Sequence, residues 1–485
     1  MRLGTDISTW DPCVVQAATV PGTMGDVLNA VYGSLVYTDE TGKVQPSMAE
    51  SLTTTDGITW TFKLRSGVKF TDGTPYDADA VKYNFDRAAL PANSCTSQAW
   101  IASWKSITVV DPLTVQVVLP SANANFDLQI AELAAFVASP TALKAAASPT
   151  DIKPVGAGPF TVDSWDQGVK EVLKKNPDYW DAPRPYIDTL TLLTIPESNT
   201  GQNMVVQGGL DIMMGYSYQY GSNATAPGVA TKPVPINGYN IAYFVTNGGV
   251  TGLFNDPVAR LAVAVGVDRG KWVQALTQDN TVPAPDALYP QDSPYYDPSL
   301  VYPAYDPAKA QDLINQVIAG GKDFSFTILV PNSSDTLRAA QFLQQSMDAY
   351  TGVTATINTV DGNVYNQECL ARHGDICIQP GANMWNGPEP NTFNLLSSTG
   401  SQPFSAYSSP AMDAALAQTL TAVSDADKVA AYKAVQTVFL QDLPFLQYGQ
   451  QHRTMLIRDD VSGFVFSGQG RPQPQFLYRC AGKCN

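Results

Sequence analysis

Side chains able to do chemistry are sparse in this chain. There are only two histidines, His373 and His452, so a histidine-based triad or a zinc centre has almost no material, and no HExxH or CxxC spacing occurs. Ser66-Gly67-Val68-Lys69 has the SxxK spacing of acylating serine enzymes, a chemistry that needs the serine at a helix start and a KTG-type strand elsewhere. Here the tetrapeptide contains a glycine, follows a strand pattern and has no KTG partner, so a hairpin turn is expected. Gly156-Ala157-Gly158 is a fragment of a dinucleotide-binding pattern, but Pro159 and Phe160 follow where a helix would have to open. Gly320-Gly321-Lys322 lacks the upstream glycine and the following hydroxyl of a P-loop. Carboxylates are too numerous for spacing alone to nominate a glycosidase pair. The expectation is a protein that is not an enzyme and holds no cofactor and no metal.

The six cysteines fall into three pairs along the sequence: Cys13 with Cys95, Cys369 with Cys377, and Cys480 with Cys484. Other connectivities, and buried free thiols, stay open on sequence grounds. An even number without metal-type spacing favours disulfides and an oxidising compartment. A bridge from Cys13 to Cys95 would close a long loop, worth about 4 to 5 kcal/mol in the chain-entropy account.

The elements that must carry these residues can be read from periodicity. Thr59–Leu64 alternates polar and apolar residues, Val115–Leu119 and Thr189–Ile195 are further strand candidates, and Asp77 caps a short helix with Val81 and Phe85 on one face. After about Asn247 the pattern changes. Asp306-Pro307 opens a helix, Phe324–Val330 reads as a strand, Leu337–Tyr350 as a helix and Thr354–Val360 as a strand. Ser409-Pro410 and Ser424 then cap two more helices. Val461–Phe466 and Phe476–Tyr478 return to strand character. This alternation predicts an α/β fold with mixed sheets, one lobe being made from both ends of the chain and the other inserted between them.

At 485 residues the chain is long enough for about two to four domains. Lys plus Arg is 29 against 44 Asp plus Glu, a net charge of −15 that disfavours nucleic acid and anionic membranes as partners. Charged residues are 15% of the chain, below the usual quarter or so, while Tyr (22) and Trp (8) are plentiful; the mixture suits a secreted, solute-contacting protein. No uninterrupted apolar run of about 18 residues occurs, and Leu128–Leu143 is broken by Glu132 and Pro140. No signal segment is visible at Met1, so an exported protein would have lost it already.

Asp56–Val81, DGITWTFKLRSGVKFTDGTPYDADAV, is the most specific segment. It resembles the signature of family 5 extracellular solute-binding proteins of ABC importers, which include oligopeptide-, dipeptide- and nickel-binding members. VYGSLVY (Val31–Tyr37), QPSMAESL (Gln45–Leu52), VGAGPFTVDSW (Val155–Trp165), KKNPDYWDAPRPYID (Lys174–Asp188), GGLDI (Gly208–Ile212), DPVARLAVAVGVDR (Asp256–Arg269), AYDPAKAQDLI (Ala304–Ile314) and DLPFLQ (Asp442–Gln447) extend the resemblance in the family's order.

The resemblance implies a two-lobed periplasmic-binding-protein-like fold of class II. Lobe I would comprise residues 1–246 and 453–485, with an extra subdomain at about 31–154, and lobe II residues 247–452. The chain would cross between lobes near Tyr239–Asn247 and Leu446–His452. A monomer, periplasmic or lipid-anchored at the cell surface, would enclose a solute by hinge closure and present it to the permease subunits. In peptide-binding members an Asp a few residues after a Trp holds the ammonium group. Trp385 matches that tryptophan, but the nearest acid here is Glu389 and the nearest cation for a carboxylate is Arg372. Asn383 and Asn386 are candidate neutral hydrogen-bond partners, and Tyr216, Tyr218 (with Tyr220), Tyr239 and Thr19 are candidate walls. Peptide or peptide-like solutes are the first expectation and a neutral oligosaccharide the second. A secreted hydrolase on the same scaffold, or a sensor or adhesion module, is a remote alternative. Nickel is disfavoured because His452 alone is thin material for it.

Overall fold

The computed structural model describes the chain apart from residues 4–5, 8, 16–23, 40, 149–150, 216–225, 235–238, 278–282, 292, 383–390, 401–403, 451–452, 468–469 and 485. The chain divides into two compact units, Met1–Ile236 with His452–Asn485, and Asn237–Gln451. It is α/β, with mixed sheets.

In the first unit the signature segment turns out to be fold machinery. Asp56 accepts the backbone N–H groups of Ile58 (2.8 Å) and Thr59 (2.7 Å), and Trp60 Nε1 donates to the Gly57 carbonyl at 3.2 Å, which launches the strand Thr59–Leu64. That strand pairs antiparallel with Ala49–Thr53 and Thr114–Val118, and Ser106–Asp111 completes a four-stranded sheet. Its alternation turns Trp60, Phe62 and Leu64 inward against Val81, Phe85, Trp104 and Phe126. Each such fully buried side chain is worth roughly 1.5–3 kcal/mol. Asp77 caps the helix Ala78–Ala88 by accepting Ala80 N–H at 2.9 Å. Ser66 and Lys69 are exposed, with Gly67 at φ +77° making the expected turn.

Gly156-Ala157-Gly158 has a packing reason. A Cβ on Gly156 would lie 2.2 Å from the Val31 carbonyl oxygen, and one on Gly158 2.6 Å from it, while Gly158 N–H donates to that same oxygen at 2.9 Å. The loop runs against the end of the helix Met24–Tyr32, where no side chain fits. A second four-stranded sheet has the order Arg2–Leu3, Thr189–Thr194, Lys170–Lys175, Phe160–Asp166. A three-stranded sheet places Arg453–Arg458 between Ile212–Gly215 and Val229–Val234, antiparallel to both.

The inserted unit is built on a five-stranded sheet in the order Val353–Val360, Phe324–Pro331, Ile376–Ala382, Tyr239–Phe244, Phe445–Gln450. The first two neighbouring pairs are parallel and the other two antiparallel. The capped helices stand as expected: Asp306 accepts Lys309 N–H, Ser409 accepts Met412 N–H and Ser424 accepts Asp427 N–H. Gly320 and Gly321 end the helix Pro307–Ala319, Gly321 at φ +85°, which accounts for that glycine pair without a phosphate.

Two expectations about strands fail. Val461–Phe466 is a strand only at Val461–Ser462, because Gly463 (φ +84°) turns away and a Cβ there would sit 1.9 Å from the Phe476 carbonyl oxygen. Phe476 closes a 3₁₀ turn, and only Tyr478–Arg479 pairs back. Tyr239–Phe244, placed by the sequence in the crossing segment, is an inner strand of the inserted unit with all six residues buried. All three cysteine pairs form disulfides in sequence order.

Candidate functional site

Strand registers bring the candidate segments to particular sheet ends. In the inserted unit, Tyr239 lies between Ala382 on one side and Gln450 on the other. Residues 383–390, which carry Asn383, Trp385, Asn386 and Glu389, leave the sheet immediately after Ala382. The chain enters this unit just before Tyr239 and leaves it just after Gln450. One end of the sheet thus holds the entry, the exit and the root of the Trp385 segment. Those four candidates, and His452, lie outside the described residues.

The first unit repeats the arrangement. Gly215 and Pro233 flank Thr454, and Val234 faces Arg453. Residues 216–225, with Tyr216, Tyr218 and Tyr220, start after Gly215, while the two chain crossings start after Val234 and end before Arg453. These tyrosines are also outside the described residues, as is Thr19. The ends of Thr19's segment are well anchored. Buried Asp11 pairs with Arg87, Cys13 is bridged to Cys95, and Tyr32 OH donates to the Trp10 carbonyl at 2.5 Å.

The core that contains Tyr239 is apolar, with a few buried polar contacts. Trp272 is fully buried, its ring stacked on Tyr448 at 4.6 Å and on Phe342 at 6.0 Å. Gln447, from the DLPFLQ motif, donates through Nε2 to the Leu288 carbonyl at 3.0 Å and accepts from Tyr302 OH at 3.4 Å. The Arg269 guanidinium lies 4.4 Å from the Tyr302 ring centroid. Burial pushes the Tyr302 phenol up, with Arg269 opposing; burial also lowers Arg269, with Tyr302 and Asp286 opposing. Tyr239 itself is 2% exposed within this core cluster, which makes it a brace of the strand end.

Arg372 does not join this end. It precedes Ile376, at the opposite end from Ala382 of a seven-residue strand that rises roughly 20 Å. Its backbone is left-handed (φ 65°), it is exposed, and its side chain covers Gly248. Sequence reasoning passed over Trp272, Tyr302 and Arg269, whose roles appear only through contacts across the fold. Among the described residues no group of three or more His, Cys, Asp or Glu could hold a metal ion, and no helix is long and apolar enough to cross a membrane.

The family model for bacterial extracellular solute-binding proteins, family 5, matches residues 43–403. The chain belongs to this family. Among curated relatives, the glutathione-binding protein GsiB of Escherichia coli (strain K12) is 28% identical over 490 residues, covering 96% of this chain and 91% of the relative. Among solved structures, the ABC transporter-associated periplasmic binding protein DppA from Helicobacter pylori, in complex with the peptide STSA, superposes with a TM-score of 0.78 at 22% identity, covering 99% and 97% of the two chains. NikA from Brucella suis, in complex with Fe(III)-EDTA, gives 0.81 at 20% identity, covering 99% and 100%. These likenesses establish the periplasmic-binding-protein fold. As a member of this family the protein is a solute-binding protein.

Proposed function

We propose that this protein is the extracytoplasmic receptor of an ABC importer and that it captures small peptides or peptide-like solutes for a membrane permease. The observation that carries this reading is the full-length similarity to the glutathione-binding protein, whose ligand is a tripeptide. Solute would be gripped by the segments rooted at the two sheet ends: Asn383, Trp385, Asn386 and Glu389 from one unit, Tyr216, Tyr218 and Thr19 from the other. Lobe closure follows if the ligand binds the closed form more tightly than the open one by several kcal/mol. The lobes would be the contact units divided near residues 236 and 452, and the working form a monomer.

The test is a thermal-shift and calorimetric screen of refolded, ligand-stripped protein against glutathione, a di- and tripeptide pool and a neutral oligosaccharide pool. A solute at about 100 times its dissociation constant stabilises the folded state by about 2.7 kcal/mol, a readily measured rise in melting temperature. Peptide binding that Trp385→Ala weakens supports the proposal. Binding of sugars alone, or turnover of any bound solute, overturns it.

A further inference from the structure

Asp6 precedes the cystine at Cys13 and meets the hairpin made by Phe160–Asp166 and Lys170–Lys175. Its carboxylate is richly supplied with donors: Ile7 N–H at 2.7 Å, Trp165 Nε1 at 3.2 Å and Gly168 N–H at 2.5 Å. Glu171, on the second strand, faces Trp165 in register. It is 0% exposed, and no donor among the described residues reaches either of its oxygens. Its carboxyl is in hydrogen-bonding contact with that of Asp6. A buried carboxyl in contact with a second carboxylate is held in its protonated form by both burial and like-charge repulsion.

We propose that Asp6 and Glu171 share a single proton and form a proton-binding site that latches the N-terminal segment onto the hairpin. The donors decide where the proton resides. Asp6 has three N–H groups stabilising its charge, while the only N–H acting on Glu171 is its own backbone one, the weakest of the influences on it, so Glu171 is the acid and its O–H donates to Asp6. Burial, followed by the contact and charge of Asp6, pushes the Glu171 carboxyl up to about 8. For Asp6, burial opposes ionisation, but the hydrogen bonds from Glu171, Gly168, Trp165 and Ile7 outweigh it and hold the carboxyl below its usual range. No other titratable group acts on Glu171 among the described residues; its cross-strand neighbours are Trp165 and Leu192. Above the upper limit the proton leaves, two anions face each other, and the segment carrying Asp6 is pushed off Gly168 and Trp165. Trp10, edge-on to Trp165 at 5.8 Å, moves with it.

The sign follows from linkage. Glu171 keeps its proton in the folded state up to about 8 and loses it near 4.5 when unfolded. Its contribution is therefore full below about 4.5, declines as pH rises through that window and is gone above 8. Within the window the folding equilibrium falls by about tenfold per pH unit from this site alone. The experiment compares wild type, Glu171→Gln and Asp6→Asn by denaturation from pH 5 to 9, with hydrogen exchange of residues 1–15 as the local readout. Glu171→Gln keeps the shape and a donor to Asp6 but cannot ionise. Its profile minus that of wild type should rise steadily from pH 5 to 8, and its N-terminal segment should stay protected at pH 9 where that of wild type opens. Asp6→Asn supplies an amide donor to Glu171 and removes the repulsion, so the same rise should shrink by an order of magnitude or more. Parallel profiles for wild type and Glu171→Gln, or for wild type and Asp6→Asn should Glu171→Gln not fold, would overturn the proposal, as would segment protection in wild type that is equal at pH 6 and pH 9.

Discussion

Removing the disulfides one at a time tests how each bridge stabilises the fold. The separations are 82 residues for Cys13–Cys95, 8 for Cys369–Cys377 and 4 for Cys480–Cys484. Loop-closure entropy in the unfolded chain then gives about 4.5, 2.5 and 1.9 kcal/mol at 25 °C. The structure adds a correction for the middle pair. Cys369 and Cys377 are both 0% exposed in the core of the inserted unit, so their truncation also removes packing. The other two bridges lie in one contact unit, which makes them a fair comparison. Near Cys13, the Arg87 guanidinium donates both to the sulfur at 3.2 Å and to Asp11 at 3.0 Å; the first contact goes with the cysteine, and the second remains to hold the local geometry. The assay is urea denaturation of oxidised Cys13→Ala/Cys95→Ala and Cys480→Ala/Cys484→Ala proteins, followed by circular dichroism and tryptophan fluorescence. The first variant should lose more than twice as much stability as the second and unfold with a steeper denaturant dependence, because its unfolded chain expands. Equal losses, or the reverse order, would refute the loop-entropy argument for this protein.

Three further outcomes follow from contacts. Gly156→Ala would place its Cβ 2.2 Å from a backbone carbonyl oxygen, so the expected result is failure to fold or a loss above roughly 3 kcal/mol, measured by soluble yield and denaturation. Trp272→Ala removes a fully buried ring stacked on Tyr448 and should cost about 3–5 kcal/mol in the unfolding of the inserted unit, read by differential calorimetry. Glu132 is 7% exposed, and burial pushes its carboxyl up to about 7, with Arg471 and a hydrogen bond from Thr38 (3.3 Å) opposing; Asp26 acts in turn on Arg471. A raised carboxyl contributes stability below 4.5 that is lost as pH climbs to 7, so Glu132→Gln should remove about 3 kcal/mol of decline from the stability profile over that range.

Local chemistry made much of this architecture legible in the sequence. The caps at Asp77, Asp306, Ser409 and Ser424 depend on a side-chain oxygen and an N–H three residues on, a relation contained within one turn. The strand Thr59–Leu64 depends on a period of two. The family signature is legible for the same reason: Asp56 accepts from Ile58 and Thr59, and Trp60 donates to the Gly57 carbonyl, all within a few residues. The cysteine order also held, although nothing local required it. What the sequence could not reveal depends on pairs that are far apart in the chain. Gly156 is glycine because Val31 lies against it, and Glu171 keeps a proton because Asp6 arrives from the other end of a sheet. Gln447 reads as one residue of a motif until Leu288 and Tyr302 give it its partners. Arg372 is close in sequence to the root of the Trp385 segment at Ala382, yet it precedes the strand Ile376–Ala382 and so stands at that strand's opposite end. Residue types and periods determine which segments become helix or strand. Only the tertiary structure, by excluding water and choosing which distant groups meet, decides which side chains are charged, which glycines are obligatory and which segments start from one sheet end.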